Sequence, residues 1–141
     1  MREIIFRGKR ADNGEWVYGS LITERNMFDG NLMAMHIQDI EEPYDDNLID
    51  DETVGQFTGL TDKNGTRIFE GDIVKGKSEY FGNGSLNQKA VVLYDRGQFL
   101  LSFGETLEEC KQLNDFEVVG VWSGDVEVIG NIHDNFELLN K

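Results

Sequence analysis

V-G-Q-F-T-G-L-T-D-K-N-G-T-R-I-F-E-G-D-I-V-K, residues Val54 to Lys75, alternates short apolar runs with turn signals. Val54, Phe57, Leu60, Ile68, Phe69, Ile73 and Val74 are strand-prone side chains on either side of Asp62-Lys63-Asn64-Gly65. Asn-Gly tolerates positive φ at both positions, so the spacing predicts a tight type I′ reversal at Asn64-Gly65. A second turn at Glu70-Gly71-Asp72 restarts a strand at Ile73-Val74. A strand, a tight turn and a Gly-Asp restart predict an SH3-like small barrel. Gly55, Gly59, Gly65 and Gly71 read as backbone-geometry residues.

The same alternation extends outward. Residues 2–10 and 15–22 read as a hairpin around Asp12-Asn13-Gly14, and a second hairpin turns at Asp29-Gly30-Asn31. In the first hairpin Trp16, Tyr18 and Ile22 share one face and Val17 and Leu21 the other, so both faces need cover. That requirement predicts a homo-oligomer, with a second subunit as one cover. Asp39 to Glu52 holds eight carboxylates and neither Lys nor Arg, and reads as a solvated loop. Lys75 to Gln88 reads as a polar loop around Gly82-Asn83-Gly84-Ser85. Lys89–Tyr94 and Gln98–Phe103 form a third hairpin. Thr106 with Glu109 is a capping-box pattern for a short helix carrying Leu107, Cys110 and Leu113. Glu117–Trp122 and Val126–Ile132 read as a last strand pair, and Asp134 with Glu137 as a cap for a final helical turn. The expected architecture is therefore mainly β, with an N-terminal β-hairpin unit and acidic loop over 1–53, an SH3-like barrel over 54–141, and short helical turns.

Two features beyond the central stretch extend a family resemblance. Gly55 to Gly65 followed by Ile68-Phe69-Glu70-Gly71-Asp72-Ile73-Val74 resembles the signature of the YopX family, small proteins encoded by phages and prophages. Phe6-Arg7-Gly8-Lys9 with Asn13-Gly14-Glu15-Trp16-Val17-Tyr18-Gly19 is similar to that family's opening hairpin. Val128-Ile129-Gly130-Asn131-Ile132-His133-Asp134-Asn135 with Glu137-Leu138-Leu139 is similar to its closing motif, with Phe136 where a proline is expected. Residues 23–53 and 76–117 look variable. The resemblance implies a fold and a phage context and carries no catalytic residue.

Composition bounds the function classes. The chain has 141 residues, 39% hydrophobic and 11% aromatic, enough for a real core. Its formal net charge is −14, with 27 acids against 13 Lys and Arg. Such a chain repels phosphate backbones, which weighs against direct nucleic-acid binding, although Arg2, Arg7, Lys9 and Arg10 form a local basic cluster. Cys110 is the single cysteine, which fits a reducing interior; no apolar run reaches a membrane span or a signal peptide, so the expected location is the cytoplasm of a bacterial host.

Candidate chemistry is sparse. His36 and His133 lack ligand spacing, Gly82-x-Gly84 lacks the third glycine of a phosphate cradle, and Cys110 sits on an apolar helix face. Trp16 and Trp122 read as packing residues. No metal or cofactor is expected. The expected function is that of a non-enzymatic phage or prophage accessory protein acting through protein–protein contacts. Two alternatives stay open: an acidic DNA mimic that inhibits a host nucleic-acid-binding protein, and a small enzyme. Candidate partner-surface residues are Gln56, Thr58, Thr61 and Asp62 in the central motif, and Asp45, Asp46, Asp50, Asp51 and Glu52 in the acidic stretch. Residues 26–62 contain ten acids and no Lys or Arg.

Overall fold

A computed structural model describes residues 3–42, 46–77, 87–113, 116–118 and 126–139. The chain is mainly β and barrel-like, and it divides into two compact units, Met1–Phe57 and Thr58–Lys141.

In the first unit, β1 (Phe6–Arg10), β2 (Trp16–Arg25), β3 (Leu32–Asp39) and the first part of β4 (Asp46–Thr61) are antiparallel neighbours. β1 also pairs with β4, so the pairings return to their starting strand. Val17, Ile37 and Ile49 are buried at the centre, packed by Phe6, Leu21 and Val54. These residues alternate with outward side chains, the period-two pattern of a sheet with one buried face.

The acidic stretch departs from expectation. Among its described residues Asp39 ends β3 and Asp46 to Glu52 lie on β4, with Asn47, Leu48 and Ile49 paired to Ile37, His36 and Met35. Ile49 is 4% exposed, and burying it anchors the strand while its acidic neighbours stay in water. Asp50 to Glu52 then bulge out, because Asp50 pairs with Lys9 and Gly55 with Arg7. Thr53 holds that bulge: its Oγ1 accepts from the Lys9 N–H at 2.8 Å and donates to the Asp50 carbonyl at 2.6 Å.

In the second unit, the end of β4 pairs with β5 (Arg67–Phe69). The main sheet runs in the order β10 (Val126–Asn131), β6 (Asp72–Lys77), β7 (Asn87–Asp95), β8 (Gln98–Phe103), β9 (Phe116–Val118). Residues 119–125 of the expected final hairpin lie outside the described residues; among the described ones β9 pairs with β8 and β10 with β6, at opposite ends of the strand order. The expected loop over 75–88 also shrinks, since β6 runs to Lys77 and β7 starts at Asn87; residues 78–86 lie outside the described residues. Trp122 likewise lies outside them.

Both faces of this sheet are buried, which explains the unbroken apolar runs of β6 and β7. Val74, Ala90, Val92 and Leu101 pack with Ile68 and Val126 on one side. Ile73 and Val91 pack with Cys110 and Leu139 on the other. Cys110 comes from α1 (Leu107–Lys111) and Leu139 from a 3-10 turn over Phe136–Leu139. The Thr106 Oγ1 caps α1 by accepting from the Glu109 N–H, and Glu109 Oε2 accepts from the Glu105 N–H at 3.0 Å. Lys89 Nζ donates to the Leu138 carbonyl at 2.7 Å and ties the 3-10 turn to β7.

The central turn differs from the expected type I′. Among the described residues only Arg96 and Leu113 are non-glycine residues with positive φ, so Asn64 is not; Gly65 alone is, at +82°. The Gly65 N–H donates to the Asp62 carbonyl at 3.0 Å and the Asp62 N–H to the Thr66 carbonyl at 2.8 Å, so one left-handed residue completes the reversal. The type I′ geometry appears instead at Arg96-Gly97, with φ of +50° and +83°.

Two glycines in matching motifs therefore work differently. A Cβ on Gly65 would meet open space, whereas one on Gly19 would lie 1.9 Å from the Gln38 carbonyl oxygen. Gly65→Ala is expected to cost about 1 kcal/mol through backbone strain alone. Gly19→Ala is expected to cost about 3 kcal/mol or more, because β2 and β3 must separate. Chemical denaturation of both variants checks the order; equal losses would remove the close-approach explanation.

Candidate interaction surface

The expected surface residues do not form one patch. In the second unit Thr61 is exposed and Thr58 half-buried, with its Oγ1 donating to the Ile68 carbonyl at 2.8 Å. Asp62 is buried, 6% exposed. Its Oδ1 accepts from the N–H groups of Asn64 and Thr66, both at 2.9 Å, and its Oδ2 from the Val128 N–H at 2.9 Å. The Lys63 N–H donates to the Val126 carbonyl at 3.0 Å. Asp62 thus fastens its own turn and covers the outer edge of β10, a structural task. In the first unit Gln56 is half-buried, and Asp46, Asp50, Asp51 and Glu52 are exposed; Asp45 lies outside the described residues. Asp46 Oδ1 sits 3.2 Å from His36 Nδ1, and Glu24 Oε1 sits 3.7 Å from His36 Nε2.

The remaining sequence candidates are structural. Cys110 is fully buried, and burial, reinforced by the Glu109 charge, pushes its thiol up, which disfavours the reactive thiolate. The His133 N–H donates to Asn131 Oδ1 at 2.9 Å within the closing turn. Trp16 receives cover from its own chain: the Arg7 guanidinium lies 4.8 Å and the Lys9 ammonium 5.5 Å from the ring centre. Half of the expected basic cluster is thereby engaged in packing, while Tyr18 and Ile22 on the same face are partly exposed, at 38% and 43%.

Among the described residues, the most exposed large apolar side chains lie elsewhere, at the tip of the β2–β3 hairpin. Met27 is 87% exposed and Phe28 92%. The loop under them is well tied. The Asn26 Oδ1 accepts from the Phe28 N–H at 2.8 Å and the Asp29 N–H at 3.3 Å. The Gly30 N–H donates to the Asn26 carbonyl, the Asn26 N–H to the Asn31 carbonyl, and Arg25 Nη1 to the Gly30 carbonyl. Along the start of β3, next to this loop, Leu32, Met33 and Met35 line a cleft of about 190 Å³ with Leu48 and Ile49 of β4.

The β1–β2 turn provides an internal control. Its Arg10 N–H donates to the Glu15 carbonyl and its Gly14 N–H to the Arg10 carbonyl, the same pattern as in the Asn26–Asn31 turn. Gly14 and Gly30 both have φ of +74°. Where one turn carries Ala11-Asp12, the other carries Met27-Phe28. The backbone geometry therefore has no need of two large apolar side chains at these positions. Sequence reading found the turn at Asp29-Gly30 but passed over the pair before it; the available signal was Met-Phe placed inside a polar hairpin loop.

The fold so described is that of a small, mainly β protein with two units and a barrel-like strand arrangement. The chain belongs to the YopX family: the family described as "YopX protein" matches residues 5–140. Among solved structures it is similar to protein EF1440 from Enterococcus faecalis, at 24% identity over 99% of each chain with a TM-score of 0.54, which shows a shared fold. The comparison with curated proteins found no match.

Asp62 carries a prediction with a definite sign. Burial alone pushes its pKa up, but hydrogen bonds from Val128, Thr66 and Asn64 outweigh burial and hold the carboxyl below its ordinary value. A depressed folded pKa gives stability that is present above the unfolded value, about 3.9, and is lost as pH falls through the folded value. Asp62→Asn is expected to lose about 2–3 kcal/mol at neutral pH, because the amide NH2, a donor, would stand where Oδ2 accepts from the Val128 N–H. The gap to the parent should narrow below about pH 4. Urea unfolding at several pH values checks this; a gap that stays constant down to pH 2 would remove the carboxylate's role.

Proposed function

We propose that this protein is a non-enzymatic, phage- or prophage-encoded binding protein that acts in a bacterial cytoplasm through protein–protein contact. The observation that carries the reading is the Met27–Phe28 tip, nearly fully exposed on a loop whose hydrogen bonds preorganise it. Exposed Met and aromatic side chains on an ordered loop are the residue types that serve as anchors in protein interfaces. Preorganisation lowers the entropy lost on docking.

The charge around the tip defines the partner. Asp29 lies in the loop itself, Arg25 closes the loop through the Gly30 carbonyl, and residues 26–57 of the same unit hold nine acids and no Lys or Arg. The complementary surface is an apolar socket rimmed by Lys and Arg. Long-range attraction would speed the encounter, and buried Met27 and Phe28 side chains would slow dissociation. An apolar anchor favours a protein contact over mimicry of a phosphate backbone, whose rows of charge have no counterpart to it.

The two turns supply the test. The double change Met27→Ala with Phe28→Asp installs the residues of the β1–β2 turn at the same loop positions. Thermal stability should shift by no more than about 2 °C, because exposed loop substitutions stay within about 0.5 kcal/mol. Proteins that the parent retains from a bacterial lysate, and releases at raised salt, should no longer be retained. An unchanged bound set with an unchanged melting temperature would overturn the reading.

A further inference from the structure

We propose that the thioether of Met27 is an oxidation site that switches the hairpin tip from apolar to polar; this rests on the docking reading above. Of the four methionines, Met27, Met33 and Met35 fall within nine residues on one hairpin. Their exposure is graded: Met27 is 87% exposed, Met33 64%, and Met35 half-buried in the cleft between β3 and β4. The loop that displays Met27 is fixed by the Asn26 side chain and by the Arg25–Gly30 hydrogen bond, so an oxidant meets the sulfur without any unfolding. Phe28 beside it is the other apolar half of the tip and is unchanged by oxidation of the sulfur.

The co-reactant is a hydroperoxide. A sulfur lone pair attacks the distal oxygen; an S–O bond forms as the O–O bond breaks. The departing alkoxide takes up the proton and leaves as an alcohol, or as water from hydrogen peroxide. Sulfur is oxidised by two electrons and the peroxide is reduced by two. The product sulfoxide is polar and chiral, and methionine sulfoxide reductases return it to the thioether. An anchor that fits an apolar socket thereby becomes a group that needs solvation, so docking weakens while the fold below the loop is untouched. Met35, in the same hairpin and half-buried, is the built-in control for reactivity set by position.

The experiment treats the full chain with hydrogen peroxide, follows each methionine by peptide mass mapping, and reads surface apolarity from retention on a phenyl matrix. Met27 should convert several-fold faster than Met35 while the near-ultraviolet circular dichroism stays native. The form oxidised at Met27 should elute earlier than the parent, and sulfoxide reductase should restore its position. Met27→Leu should show a smaller loss of retention through the same dose, the remainder tracking conversion of the 64% exposed Met33. Conversion of Met35 as fast as Met27 in the native fold, or co-elution of the Met27-oxidised form with the parent, would overturn the proposal. The docking reading has its own arm: untreated Phe28→Ser should elute earlier than the parent, and co-elution would remove the tip as an apolar contact whatever the peroxide does.

Discussion

One buried carboxylate closes the second unit. Asp62 accepts three backbone N–H groups, two from its own turn and one from Val128 on β10. A buried charge is costly unless its lone pairs are occupied, and here they are occupied by groups that would otherwise lack partners. The same contact sets the turn after β4, shields the edge of β10, and so delimits the sheet that buries Ile73, Val74, Val91 and Val92. The Asp-x-Asn-Gly of the central motif is thus a long-range clamp as well as a local turn.

The first unit solves a different problem. Its ring of pairings buries a small core of Val17, Ile37 and Ile49, and a strand with acids at four of seven positions between Asp46 and Glu52 would not hold by propensity. Pairing with β3 and burial of Ile49 outweigh that preference, and the excess chain is absorbed in a bulge that Thr53 ties to β1. The outer face is not left bare either: cations from β1 cover Trp16. That cover comes from within the chain and weakens the motive for a second subunit at this ring.

Against this economy the Met27–Phe28 tip stands out, because the equivalent turn manages with Ala11-Asp12. Single exposed apolar side chains are ordinary, but these two are adjacent, the most exposed among the described residues, and held on an ordered loop, which is the ground for the docking reading. On the proposed docking reading, the acidic stretch of the same unit would add direction and rate to a contact whose affinity the two apolar side chains would provide.

How much of this was legible from residues alone varies with the range of the interaction. The mainly β class, the hairpin turns at Asn13-Gly14, Asp29-Gly30 and Arg96-Gly97, the Thr106 cap and the family membership all rest on residues a few positions apart, and the sequence by itself determined them. The strand nature of Asp46 to Glu52, the separation of β9 from β10, and the single left-handed residue at Gly65 did not show there. Each depends on a partner far along the chain: β3 for the acidic strand, β8 and β6 for the last two strands, and Val128 for the turn. The tip was half visible, since the turn was readable but the exposure of Met27 and Phe28 was not. Only the tertiary structure decided that, because whether an apolar side chain is core or anchor depends on what the fold places over it.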